Sequence, residues 1–118
     1  NAIIYTDGTQ GAEFTVTKNG VSITVSSGLI GTASGKTTYR IYKGSTLTVS
    51  SSAGNIKSIV FTCTAENDAK QGPGCFTVDG GDYTYAGTVG TWTGDAATIT
   101  FTASTNQVRA TQIVVVVE

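Results

Sequence analysis

The 118-residue chain contains no histidine. That absence removes the usual general base near neutral pH, the Ser-His and Cys-His nucleophile systems, and the commonest metal ligand. Charge is scarce as well: Asp, Glu, Lys and Arg make up 13% of the residues, against about 25% in an ordinary soluble domain. Thr, Ser and Gly occupy the positions that charges normally fill, and a surface coated with hydroxyls suggests an exported protein. Seven Lys or Arg are scattered from Lys18 to Arg109 and the net charge is −1, so no basic stripe exists to neutralise a run of phosphates. Nucleic acid is therefore not an expected partner. Long apolar runs are missing too. The longest, Ile113 to Val117, falls far short of the roughly 20 residues a membrane-crossing helix needs, so membrane insertion is not expected. No signal or lipid-anchor segment is recognised, and a start at Asn1 fits a processed mature chain or a module of a longer one. The length suits one core, and a single domain over 1–118 is expected.

What the chain does have is period-two alternation. Phe14 and Val16 alternate with Glu13, Thr15 and Thr17; Val21, Ile23 and Val25 alternate with Ser22, Thr24 and Ser26. Asn19-Gly20 between them is a strong hairpin signal. Ser27 to Lys36, rich in Gly and Ser, reads as a loop before the strand Thr37 to Tyr42, in which Tyr39 and Ile41 point inward and Arg40 and Tyr42 outward. Leu47 and Val49 mark a short strand, and Ile59, Phe61 and Cys63 share one face of a strand expected to be central. Strands follow around Phe76 and Val78, Tyr83 and Tyr85, Trp92, and Ile99 to Ala103, with Val108 to Val117 closing the chain. About nine or ten short antiparallel strands at this spacing, without helical segments, predict an all-β sandwich of immunoglobulin-like or jelly-roll-like type. The run Ile113 to Val117 is apolar at both parities, which demands cover on both faces or an edge that pairs with another chain.

Four segments carry a family resemblance: Ile56 to Cys63, Lys70-Gln71-Gly72-Pro73-Gly74-Cys75, Gly90-Thr91-Trp92-Thr93-Gly94-Asp95-Ala96 through Thr102, and Gln107-Val108-Arg109 through Val115. Over roughly Tyr39 to Val117 the chain resembles a small β-sandwich module of secreted and surface proteins of gut Bacteroidetes. The resemblance implies an extracellular or cell-surface location and a sandwich fold, and it brings no catalytic residue or ligand with it. Gln71 departs from the pattern, standing where a Tyr is common.

Candidate chemistry lies in three groups. Cys63 and Cys75 bracket a loop of turn-forming residues whose hairpin ends would bring the sulfurs together; a disulfide there would contribute on the order of 3 kcal/mol, the alternative being two reduced, partly buried thiols. Two Cys without His supply only half of a structural zinc site. Glu66-Asn67-Asp68 and Asp79-Gly80-Gly81-Asp82 flank one short strand and would form a calcium site if they converged, although the same residues serve ordinary turns. Paired carboxylates can also hydrolyse glycosides, but nearly all the acids here sit in turns, so catalysis is not expected. Tyr83 and Tyr85 share a face, with Trp92 on the neighbouring strand and Arg109 or Arg40 as polar partners, a set suited to stacking on a sugar ring; core packing is the alternative for the aromatics. The expected function is a non-catalytic extracellular recognition module, glycan-binding or adhesive, with polysaccharide as partner and no cofactor beyond the calcium considered above. The alternative is a structural subunit of a filament, surface layer or phage particle that self-assembles through its apolar terminal strand.

Overall fold

Alternation in the sequence becomes strand in a computed structural model that describes residues 2–5, 14–33 and 36–118. Among these residues one sheet has seven strands: β1 (Ala2–Tyr5), β4 (Gly28–Ala33), β5 (Lys36–Ile41), β7 (Ile56–Cys63), β9 (Asp82–Ala86), β10 (Val89–Ala96) and β12 (Val108–Val117). The other has five: β2 (Phe14–Lys18), β3 (Val21–Val25), β6 (Thr46–Ser51), β8 (Phe76–Val78) and β11 (Thr98–Ala103). The larger runs in the order β4-β5-β12-β7-β10-β9, with β1 beside β12, and the smaller β2-β3-β6-β11-β8. The protein is an antiparallel all-β sandwich.

Two strands go beyond those expected, β1 and β4. The segment Gly28–Ala33 carries two glycines and is bracketed in sequence by Ser27 and Ser34, which makes it read as a loop, yet it pairs along its length with β5. Gly28 explains how: a Cβ at that position would collide with the carbonyl oxygen of Arg40, so the glycine permits a close backbone approach inside a strand. The β2–β3 hairpin closes through Asn19 and Gly20 at φ 52° and 82°, the left-handed pair that a two-residue turn requires.

The core is the set of inward residues. Val21, Ile23, Val25, Leu47, Val49 and Phe101 from the small sheet meet Tyr39, Ile41, Ile59, Phe61, Trp92, Ile113 and Val115 from the large one, all fully buried. β12 is an interior strand: β7 lies along one side, while β5 takes Val108 to Ala110 and β1 takes Ile113 to Val116 on the other. Its apolar end therefore has no free edge among the described residues, and the run Ile113 to Val116 is paired on both sides within the chain. A bulge between Ala110 and Gln112 shifts the register of β12 against β7, so Val108 and Ala110 point inward before it and Ile113, Val115 and Val117 after it.

The outer face of the small sheet is a lattice of hydroxyls that bond across strands: Thr15 with Thr24 (3.0 Å), Thr17 with Ser22 (2.9 Å), and Thr48 with Thr100 (3.3 Å). These are the cross-strand pairs by which Thr-rich strands support one another.

Candidate functional site

The aromatic residues form a gradient from core to surface. Trp92 alternates inward on β10, opposite Ile59 on one side and Tyr83 on the other, and is 0% exposed. Its indole N–H donates to the carbonyl of Gly80 at 2.8 Å, and the ring passes so close to Gly81 that a Cβ there would collide with the indole nitrogen. Trp92 is a core residue, which corrects its expected place on a binding surface: a buried indole with a satisfied N–H offers nothing to a ligand.

Tyr83 is half-buried, its ring 5.6 Å from Phe101 and 6.3 Å from Phe61 between centroids, and its hydroxyl donates to the carbonyl of Pro73 at 2.7 Å. Burial, reinforced by the neighbouring thiols, pushes its phenol well above the usual range. Tyr83 thus supports the surface without belonging to it. Tyr85 follows at the same parity but is 44% exposed, because β9 is the outermost strand and the small sheet ends at the three-residue β8. Its ring rests on Gly74, where a Cβ would lie 2.8 Å from Cε2 and Cζ, and its centroid is 6.5 Å from that of Tyr83.

The acidic loops do not converge. Asn67 is bonded to Gly87 through N–H to carbonyl (2.7 Å) and N–H to Oδ1 (3.1 Å), which fixes Glu66 and Asp68 near the Ala86 end of β9. Asp79 and Asp82 sit at its other end, about 13 Å away at the usual rise per residue of an extended strand. Asp79 Oδ1 accepts the N–H of Thr100 (3.1 Å), ordinary turn chemistry. No group of three metal-ligating side chains exists among the described residues, and the calcium reading of Glu66, Asp68, Asp79 and Asp82 is withdrawn because the strand holds the two pairs apart. Asp95 is held below the usual carboxylate range by hydrogen bonds from Lys57 (2.9 Å) and Asn55 (2.7 Å), the reverse of what a general acid needs.

Cys63 and Cys75 are free, buried thiols, and the expected disulfide is absent. They are not hairpin ends. Cys63 closes β7 in the large sheet, whereas Cys75 ends a 3₁₀ turn (Pro73–Cys75) that leads into β8 in the small one, and its Sγ donates to the carbonyl of Ala69 at 3.2 Å. Burial, with Cys75 beside it, pushes the Cys63 thiol up to about 12, which keeps it protonated and inert as a nucleophile near neutral pH.

Arg109 lies on the outer face of β12, directly opposite Arg40 of β5. Gln107, on the other side of inward-facing Val108, shares that face. Sequence reasoning singled out Arg109 but passed over Gln107; the parity of 107 and 109 about a buried 108 was the available signal. Comparison with protein families, with curated proteins and with solved structures gave no match.

Proposed function

We propose that this domain is a non-catalytic recognition module of an extracellular protein that binds saccharide at the β9 edge of the sandwich. The carrying observation is Tyr85, an exposed aromatic seated on Gly74 and backed by Tyr83. A ring held this way has little rotamer freedom left to lose, so a sugar's C–H face can stack on it at low entropic cost. The hydroxyl-rich, weakly charged composition and the resemblance to surface modules support the location. The absence of histidine supports a binding role over a catalytic one. A titration of ¹⁵N-labelled protein with neutral oligosaccharides tests the reading. Shifts centred on Tyr85, Gly74 and the Gly87 turn are expected, and Tyr85→Ala should weaken binding by roughly 1–2 kcal/mol, the size of one aromatic stacking contact, with the fold intact. Equal binding by the variant would end the proposal.

A further inference from the structure

Like charges placed directly opposite one another on adjacent strands are destabilising, and this domain holds such a pair on the outer face of its larger sheet. Arg40 and Arg109 are register partners. The backbone N–H of Arg109 donates to the carbonyl of Gln71 (3.3 Å) and its carbonyl accepts from the N–H of Thr64 (3.0 Å), both on the side away from β5. The Arg40–Arg109 pair is therefore the non-hydrogen-bonded kind, in which the Cα atoms approach to about 4.5 Å and the side chains are closest.

Neither arginine has an ion-pair partner among the described residues. Arg40 commits its Nε to the hydroxyl of Thr38 (3.3 Å). The Nε of Arg109 is buried with no hydrogen-bond partner, and so is the carboxamide nitrogen of Gln107 on the same face. Two buried donors without acceptors, beside two unneutralised guanidinium groups, form a set that lacks only an acceptor carrying negative charge.

We propose that Arg40, Arg109 and Gln107 form a binding site for an oxyanion, the carboxylate or sulfate group of an acidic saccharide. Planar guanidinium groups match such oxygens two at a time, and the carboxamide of Gln107 adds a neutral donor. The site is one clamp and not a stripe, in a chain of net charge −1, so it suits a ligand with an isolated anionic group better than a dense polyanion. Thr64 and Gln71, whose backbones bond that of Arg109, are the polar neighbours suited to the hydroxyls around such a group. The choice of a saccharide rests on the recognition function proposed above, whereas the anion site rests on its own geometry, on a different part of the surface from Tyr85.

The test is an NMR titration that follows the Arg Nε–H and Gln side-chain resonances with four probes: trigalacturonate, its uncharged methyl ester, a sulfated galactose oligosaccharide, and an acidic glutamate peptide. Trigalacturonate or the sulfated oligosaccharide should shift Arg109 Nε–H and the Gln107 carboxamide, and whichever does so identifies the anion. The methyl ester should leave them unmoved. Arg109→Gln and Arg40→Gln should each weaken binding by roughly tenfold or more, the size of a lost charge-assisted contact, while Arg109→Lys keeps the charge, loses the fork and falls between. Equal binding of ester and acid, shifts elsewhere, or unchanged affinity in Arg109→Gln overturns the proposal. A peptide that binds as well as the saccharides overturns its saccharide half. Shifts at Tyr85 with the neutral ester, but none at Arg109 with either anionic saccharide, overturn this site and leave the recognition function standing.

Discussion

The two outer faces of the sandwich solve the same problem in opposite ways. On the five-stranded sheet, Thr15, Thr24, Thr48 and Thr100 stand among hydroxyls that answer one another across the strands. On the seven-stranded sheet, Arg40 and Arg109 oppose each other and leave the Nε of Arg109 and the carboxamide nitrogen of Gln107 without acceptors. A face that completes its own hydrogen bonds has little to offer a partner. The other face retains two buried donors without acceptors, the feature on which the proposed anion site rests. Both proposals therefore lie on the large sheet and its β9 edge, and the hydroxyl lattice serves as their contrast.

Both faces stand on one core, so the harshest break strikes them together. Trp92→Ala removes a fully buried indole and its bond to Gly80, and should cost about 3–5 kcal/mol in denaturant unfolding, lowering saccharide and anion binding alike only insofar as the fold is lost. Alkali acts next. The Cys63 thiol is raised in the folded state from its ordinary 9.0 to about 12, so its contribution is fully present below pH 9 and disappears as pH rises toward 12. Cys63 alone should lower the unfolding free energy by about 1.4 kcal/mol per pH unit across that window, with Cys75 and Tyr83, raised as well, steepening the fall, and Cys63→Ala should reduce the slope by that one-proton amount.

Smaller effects separate the faces by sign. Arg109→Leu removes the like-charge opposition and the unpartnered donor, and should raise stability by about 0.5–1 kcal/mol in low salt, less as salt is added. A loss of stability instead would mean that the pair is satisfied within the domain. Thr48→Val together with Thr100→Val breaks one rung of the hydroxyl lattice and should lower stability by about 0.5 kcal/mol or less, without any change in saccharide titrations. Altered binding in that double variant would return the small sheet to contention.

The strands were legible wherever inward and outward residues differ in kind. Phe61 against Thr62, Phe101 against Thr102 and Tyr39 against Arg40 announce their faces, and Asn19-Gly20 announces its turn. Gly28–Ala33 was hidden because a glycine admitted by close backbone approach looks the same in sequence as a glycine in a loop. The site was less legible. Whether Trp92 or Tyr85 meets solvent depends on which strand ends the sheet and how far the opposing sheet reaches, and alternation carries neither fact. Cys63 and Cys75 looked like hairpin ends because sequence does not reveal that the chain changes sheets between them. Arg109 could be placed on an outer face, but its opposition to Arg40 follows from strands 69 residues apart entering register.

The bulge in β12 keeps two requirements of one strand from interfering. By inserting a half-step between Ala110 and Gln112, it lets the segment around Arg109 and the segment from Ile113 to Val117 obey separate alternation rules. The outward positions upstream, 107 and 109, are free of the aliphatic requirement that holds Val108 and Ala110 before the bulge and Ile113, Val115 and Val117 after it. A library randomised at positions 107 and 109 should accordingly yield many folded members with new specificities, whereas the same diversity at 113 and 115 should yield few that fold.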